Sequence, residues 1–193
     1  MIKAIRLIIE PVQAWSEIAL DRKSIGAVFI LYLAPLLILS VGGEVAGMYH
    51  WGRLDELGQP VKLAPRLLMI YGAAQFALGL AVTFIGAKLV KAMAATFHGR
   101  NTYEQCFRLV AYASSPLYLV RLLDAYPRLD LWVCFGIGMV LCMATLYEGV
   151  PRLLDPDPPH TFGLYLSSVI MLTFVAGLAR LLTWLLLTKK IAM

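Results

Sequence analysis

Residues 67–87 read LLMIYGAAQFALGLAVTFIGA, 21 positions without a charged side chain. A helix rises about 1.5 Å per residue, so about 20 apolar residues cross a hydrocarbon core of about 30 Å. Within this stretch Gly72, Gly79 and Gly86 recur every seven residues, with Ala73, Ala77 and Ala81 beside them. Helices in lipid associate through close backbone contact, which small side chains permit. The stripe therefore predicts the seam of one transmembrane helix against another.

Working outward, residues 25–43, 131–147 and 161–179 form charge-free runs of 19, 17 and 19 positions. Residues 109–120, flanked by Arg108 and Arg121, add a shorter fifth stretch. The expected fold is an all-α membrane protein, a bundle of five transmembrane helices preceded by an N-terminal amphipathic interfacial helix. The expected spans cover about 25–47, 67–92, 104–124, 130–148 and 161–187. Residues 1–24 would form a cytoplasmic amphipathic segment and 25–193 the membrane domain.

Composition agrees. Hydrophobic residues make up 60% and charged residues 15% of the chain, with mean hydropathy +0.75. Soluble domains average about 45–50% apolar and about 25% charged residues. Cys106, Cys134 and Cys142 lie in or beside apolar runs and form no C-x-x-C pair, which argues for small packing residues. His50, His98 and His160 have no metal-ligand spacing. Neither G-x-S-x-G nor H-E-x-x-H occurs, and no pair of aspartates lies inside a span. No catalytic residue, cofactor or metal is expected, and the net charge of +5 follows from membrane topology rather than nucleic-acid binding.

Near the N-terminus Ile5, Ile8, Ile9, Val12, Trp15 and Ile18 alternate with Lys3, Arg6, Glu10, Gln13, Ser16 and Glu17, and Pro11 opens a second helical piece. Two placements suit this pattern: flat on the membrane, with Trp15 at headgroup depth, or packed on the bundle. Arg22 and Lys23 precede the first span, and basic residues divide nine against seven in favour of the N-terminal side, with Arg180 inside a span. This bias predicts a cytoplasmic N-terminus and an outer C-terminus. Lys3, Arg6, Trp15, Lys88, Lys91 and Arg100 are the expected lipid-contacting residues.

Charges inside spans give the one site-level expectation. Counted by helical rise, Glu44 and Arg180 reach the depth where Arg121 and Asp124 end the third span and Asp130 opens the fourth. Such charges either line a polar cavity facing outward or form salt bridges that snorkel at the interface. Pro116 should kink or break the third span, freeing the Tyr112 carbonyl for Ser114 or Ser115 to satisfy.

The sequence Pro11-Val-Gln-Ala-Trp15-Ser-Glu-Ile18 precedes the first span. A second stretch, Tyr103-x-x-x-x-Arg108-x-x-Ala111-Tyr112-Ala113-x-x-Pro116, opens the third span. A third, Leu146-Tyr147-Glu148-Gly149-Val150-Pro151-x-Leu153, closes the fourth. Together these resemble the bacterial branch of the Yip1 family. The resemblance implies an integral protein of the bacterial inner membrane with a cytosolic N-terminus. Eukaryotic members act in vesicle traffic and membrane shaping; their Asp-Leu-Tyr-Gly-Pro signature does not occur here. The expected function is non-enzymatic organisation of lipids or partner membrane proteins, including further copies of the chain. The alternative is a small oligomeric transporter or channel using the charged cluster.

Overall fold

A computed structural model of the chain describes residues 2–21, 23–54, 60–97 and 101–191. Two short helices, α1 (Ile2–Ile9) and α2 (Pro11–Leu20), lead into α3 (Ile25–Trp51) and α4 (Pro65–Thr96). Then follow α5 (Tyr103–Ala113), α6 (Ser115–Val120), a 3-10 turn (Arg121–Ala125), α7 (Leu131–Leu153) and α8 (Pro158–Ile191). A two-strand ribbon, β1 (Arg53–Leu54) paired antiparallel with β2 (Pro60–Val61), lies between α3 and α4. Gly52 enters it at φ 73°, where an added Cβ would lie 2.7 Å from the Val61 carbonyl oxygen. We call the end of the bundle that carries α1 and α2 the near end, and the other the far end.

Among the described residues, four helices are long and apolar enough to cross a membrane: α3, α4, α7 and α8. Their outer faces carry Ile30, Leu31, Ile38, Met69, Val140 and Phe174 at 61–75% exposure. An apolar exterior of this kind is stable only against lipid.

The expected count of five transmembrane helices is therefore corrected to four. The segment expected to be the third span, 104–124, is split into α5, α6 and the 3-10 turn. It is apolar for a different reason: every residue from 106 to 118 is buried, so protein rather than lipid surrounds it. Interrupted backbone is tolerated at membrane depth when protein encloses it and satisfies its polar groups. The interruption falls at Ser114, with Pro116 in the first turn of α6. Proline has no N–H for the Tyr112 carbonyl, and the Ser115 hydroxyl donates to that oxygen instead. The Tyr32 hydroxyl of α3 meets Ser115 Oγ in turn. Tyr32 lies in a π-helical stretch, Phe29–Leu33, just before Pro35. Pro35 denies Leu31 its α-helical donor, and the wider register accommodates that loss.

The N-terminal expectation is corrected as well. α1 and α2 do not form one flat interfacial helix. They fold against each other and pack on the bundle, α1 on α5, α6 and α7, and α2 on α7. Ala4, Leu7, Ala14, Trp15 and Ile18 are buried in the main core. Trp15, expected at headgroup depth, is fully enclosed (0% exposed). A Cβ on Gly149 of α7 would lie 2.6 Å from its ring, so the missing side chain makes the slot. Tyr112 meets the indole edge-on at 6.4 Å between ring centres. Burying so large a ring outweighs the modest gain from a headgroup contact.

The glycine stripe of α4 faces its neighbours. An added Cβ at Gly79 would lie 2.6 Å from Leu37 of α3, and one at Gly72 would lie 3.2 Å from Val45 of α3. At Gly86 the nearest atoms belong to Leu172 of α8, at 3.1 Å, and Val110 of α5, at 3.2 Å. Close approach also lets the Tyr118 hydroxyl of α6 reach the Gly79 carbonyl at 3.0 Å and Thr83 at 3.1 Å.

Candidate functional site: a buried ionic network at the far end

Two more glycines build the far end. A Cβ on Gly47 would lie 2.5 Å from the Ala125 carbonyl oxygen, and one on Gly43 would lie 2.5 Å from the Leu122 side chain. The 3-10 turn therefore rests directly on this face of α3. Glu44, between the two glycines, faces Arg121 and Asp124 of the turn and Arg180 of α8.

The four groups form one network. Arg121 Nε lies 3.9 Å from Glu44 Oε2, and Arg180 Nη1 lies 3.9 Å from Glu44 Oε1. Arg180 Nη2 pairs with Asp124 Oδ2 and also donates to the Leu131 carbonyl at 3.3 Å. The Tyr71 hydroxyl of α4 donates to Glu44 Oε1, and Gln75 Nε2 donates to that hydroxyl at 2.6 Å. The side chains of Glu44, Asp124 and Arg180 are 0–2% exposed, and that of Arg121 is 11% exposed.

Two guanidiniums face two carboxylates, so the network is formally neutral. Charges held at this depth are costly unless paired. Several capacities stay unfilled: Glu44 Oε2, Asp124 Oδ1, Arg121 Nη1, and Nε and Nη1 of Arg180 have no hydrogen-bond partner. The adjoining cavity, lined by Leu117, Arg121, Asp124, Cys134, Phe135 and Arg180, measures about 10 Å³. That is about the space of one water molecule. The arrangement ties α3, α4, the turn and α8 together and offers no room for a larger guest. Asp130 stands apart: it is exposed, and its Oδ1 caps α7 by accepting from the Trp132 and Val133 amides.

Of the expected lipid contacts, Lys88 and Lys91 are exposed near the end of α4. Lys3 and Arg6 are about one-third exposed and bridge α1 to α2, Lys3 reaching Asp21 at 3.1 Å and Arg6 reaching Glu17 at 2.8 Å. Arg100 lies outside the described residues. Hydrogen bonds from Lys23 and Lys3 hold the Asp21 carboxyl below its ordinary range. The bond from Arg6 to Glu17 raises the Arg6 guanidinium above its own.

Sequence reading did not find Tyr71 and Gln75, the polar partners of Glu44. Their signal is a Tyr and a Gln one helical turn apart inside an apolar run, which places both on one face. Among the described residues no group of three or more His, Cys, Asp or Glu could hold a metal ion, and the three cysteines are free and buried.

Comparison with curated proteins and with solved structures finds no match. The Yip1 domain matches residues 5–181, from within α1 to one residue past Arg180. The matched region takes in the docked N-terminal helices, the enclosed broken segment and all four network charges. The chain belongs to the Yip1-domain family of integral membrane proteins.

Proposed function

We propose that this protein is a non-enzymatic organiser of the membrane, acting on lipids and on neighbouring membrane proteins, further copies of itself included. The observation that carries the reading is the charge-balanced far-end network. Its intramembrane charges are matched two against two, and the space beside them is about 10 Å³. A transport pathway would need polar groups facing a continuous aqueous cavity. Support for lipid contact comes from the near end, where Lys88 and Lys91 are exposed among apolar helix faces. We place the near end on the cytoplasmic side of a bacterial inner membrane, following Arg22 and Lys23 before α3.

Reconstitution tests the reading. Full-length protein in vesicles should change vesicle size or shape, or cross-link to itself, at protein densities where an unrelated four-span control does neither. Ion or solute flux should equal that of protein-free vesicles. A flux that Glu44→Gln or Arg180→Gln alters would overturn the proposal, as would vesicles of unchanged shape holding only monomers. Thiol labelling of single cysteines introduced near Leu20 and at Tyr126 fixes orientation; labelling of the Leu20 site from outside intact cells refutes the cytoplasmic assignment.

A further inference from the structure

The near end holds a cleft of about 470 Å³ lined by Ala19, Thr102, Glu104, Gln105, Arg108, Arg152, Leu153 and Asp155. This volume falls in the range of about 300–1,000 Å³ usual for small-ligand sites. Arg108 in its wall is 6% exposed. Nη1 of Arg108 donates to the Asp21 carbonyl at 3.3 Å, and its Nε has no hydrogen-bond partner. Among the described residues no carboxylate lies within ion-pair distance of it. A guanidinium this buried with no carboxylate beside it is costly. The far-end arginines, by contrast, are matched by carboxylates.

Arg152, in the same lining, adds a second guanidinium, held by the Glu148 side chain and carbonyl. Two carboxylates, Glu104 and Asp155, share the lining, so among the described residues the lining carries two positive and two negative groups, with Glu148 pairing Arg152 from behind it. A simple anion would meet the arginines and be repelled by the acids. A zwitterion joining a phosphate to an ammonium satisfies both. Guanidinium forks bind phosphate oxygens in pairs, and carboxylates accept from an ammonium. Arg108 lies five residues into α5, about 7–8 Å beyond its start, at the near end of the bundle.

We propose that this cleft binds the phosphoethanolamine headgroup of a membrane lipid, with the phosphate on Arg108 and Arg152 and the ammonium on Glu104 and Asp155. The proposal rests on the lipid-organising reading above and names the lipid. Its test is a binding measurement, so it can fail while vesicle remodelling succeeds, and the reverse.

The experiment uses full-length protein in detergent, with phosphatidylethanolamine, phosphatidylglycerol and phosphatidylcholine of matched acyl chains added in competition. Retained lipid is counted by native mass spectrometry. Phosphatidylethanolamine should be retained in preference to both others, by about tenfold, as expected for loss of one charge-assisted contact. Arg108→Gln should abolish that retention. Arg152→Gln, at a half-buried position, serves if the first variant does not fold, and should lower retention about tenfold. The pair Glu104→Gln and Asp155→Asn should keep lipid binding but erase the preference over phosphatidylglycerol.

Equal retention of the three lipids overturns the assignment. So does unchanged retention in both arginine variants, or a preference that survives loss of both acids. A further arm adds soluble phosphoethanolamine or inorganic phosphate. If either raises the thermal midpoint as much as the lipid does at equal concentration, the cleft is a site for a soluble anion and the lipid assignment falls.

Discussion

Replacing Glu44 by glutamine keeps the shape of the side chain and an oxygen for the Tyr71 hydroxyl, but removes one charge from a neutral set of four. Glu44 is 3.9 Å from both Arg121 and Arg180. At an effective dielectric of about 20, attraction across that distance is about 4 kcal/mol per contact. Removing the carboxylate also recovers its own desolvation cost, several kcal/mol, so the two Coulomb terms do not survive in full. The larger effect is on what remains: Asp124 alone faces two buried guanidiniums. Removing one partner of a buried ionic set typically costs about 3–5 kcal/mol, and Glu44→Gln should destabilise the protein by that amount. Arg180→Gln should cost a similar amount, since it strands Glu44 and Asp124 against Arg121 alone. The double variant again has matched charge, and its loss should fall short of the summed single losses by about 1–3 kcal/mol. Unfolding in mixed micelles, followed by circular dichroism on all four proteins, measures each value. A loss below about 1 kcal/mol for Glu44→Gln, or strictly additive losses, would refute the argument that charge balance holds this end together.

Three other perturbations follow from the packing. Trp15→Ala empties the slot beside Gly149 and should cost about 3–5 kcal/mol; limited proteolysis should then cut near Leu20 faster than in the parent, and an unchanged rate would count against docking of α1 and α2. Gly47→Leu drives a side chain into the Ala125 backbone and should cost more than the usual overpacking loss of about 1–3 kcal/mol. Gly136→Leu, where nothing lies within 4 Å, should stay within about 0.5 kcal/mol of the parent when both are unfolded in mixed micelles. Asp21 carries a pH dependence: its carboxyl is held below the ordinary value of about 3.9, so its contribution is complete above that value and is lost as pH falls through the depressed one. Because the group is solvent-exposed the effect is small and salt-screened. Asp21→Asn should lower stability slightly at neutral pH and leave it unchanged below the depressed value, so the acid limb of the stability curve flattens.

Charge-free runs identify α3, α4, α7 and α8 directly, because a lipid-facing helix must be apolar along its whole length. The same rule misreads 104–124. Apolar length does not separate a helix facing lipid from a segment walled in by protein, and here Arg108, Ser114, Ser115 and Pro116 are all enclosed by protein. Depth counting groups Glu44, Arg121, Asp124 and Arg180, because a helical rise is fixed by backbone geometry. It does not supply Tyr71 and Gln75, whose role depends on how α4 is rotated against α3. Trp15 shows the same limit. An amphipathic ring suits a headgroup equally well until a distant Gly149 offers it a pocket.

The salt link between Asp124 and Arg180 joins residues 56 positions apart in the chain. During synthesis, Asp124 and Glu44 therefore reach the bilayer before the guanidinium that answers them exists. The emerging polypeptide must shelter these acids, with Arg121 as a temporary consort, until the last helix arrives. A chain that stops before Arg180 holds Glu44 and Asp124 against Arg121 alone, one buried carboxylate in excess.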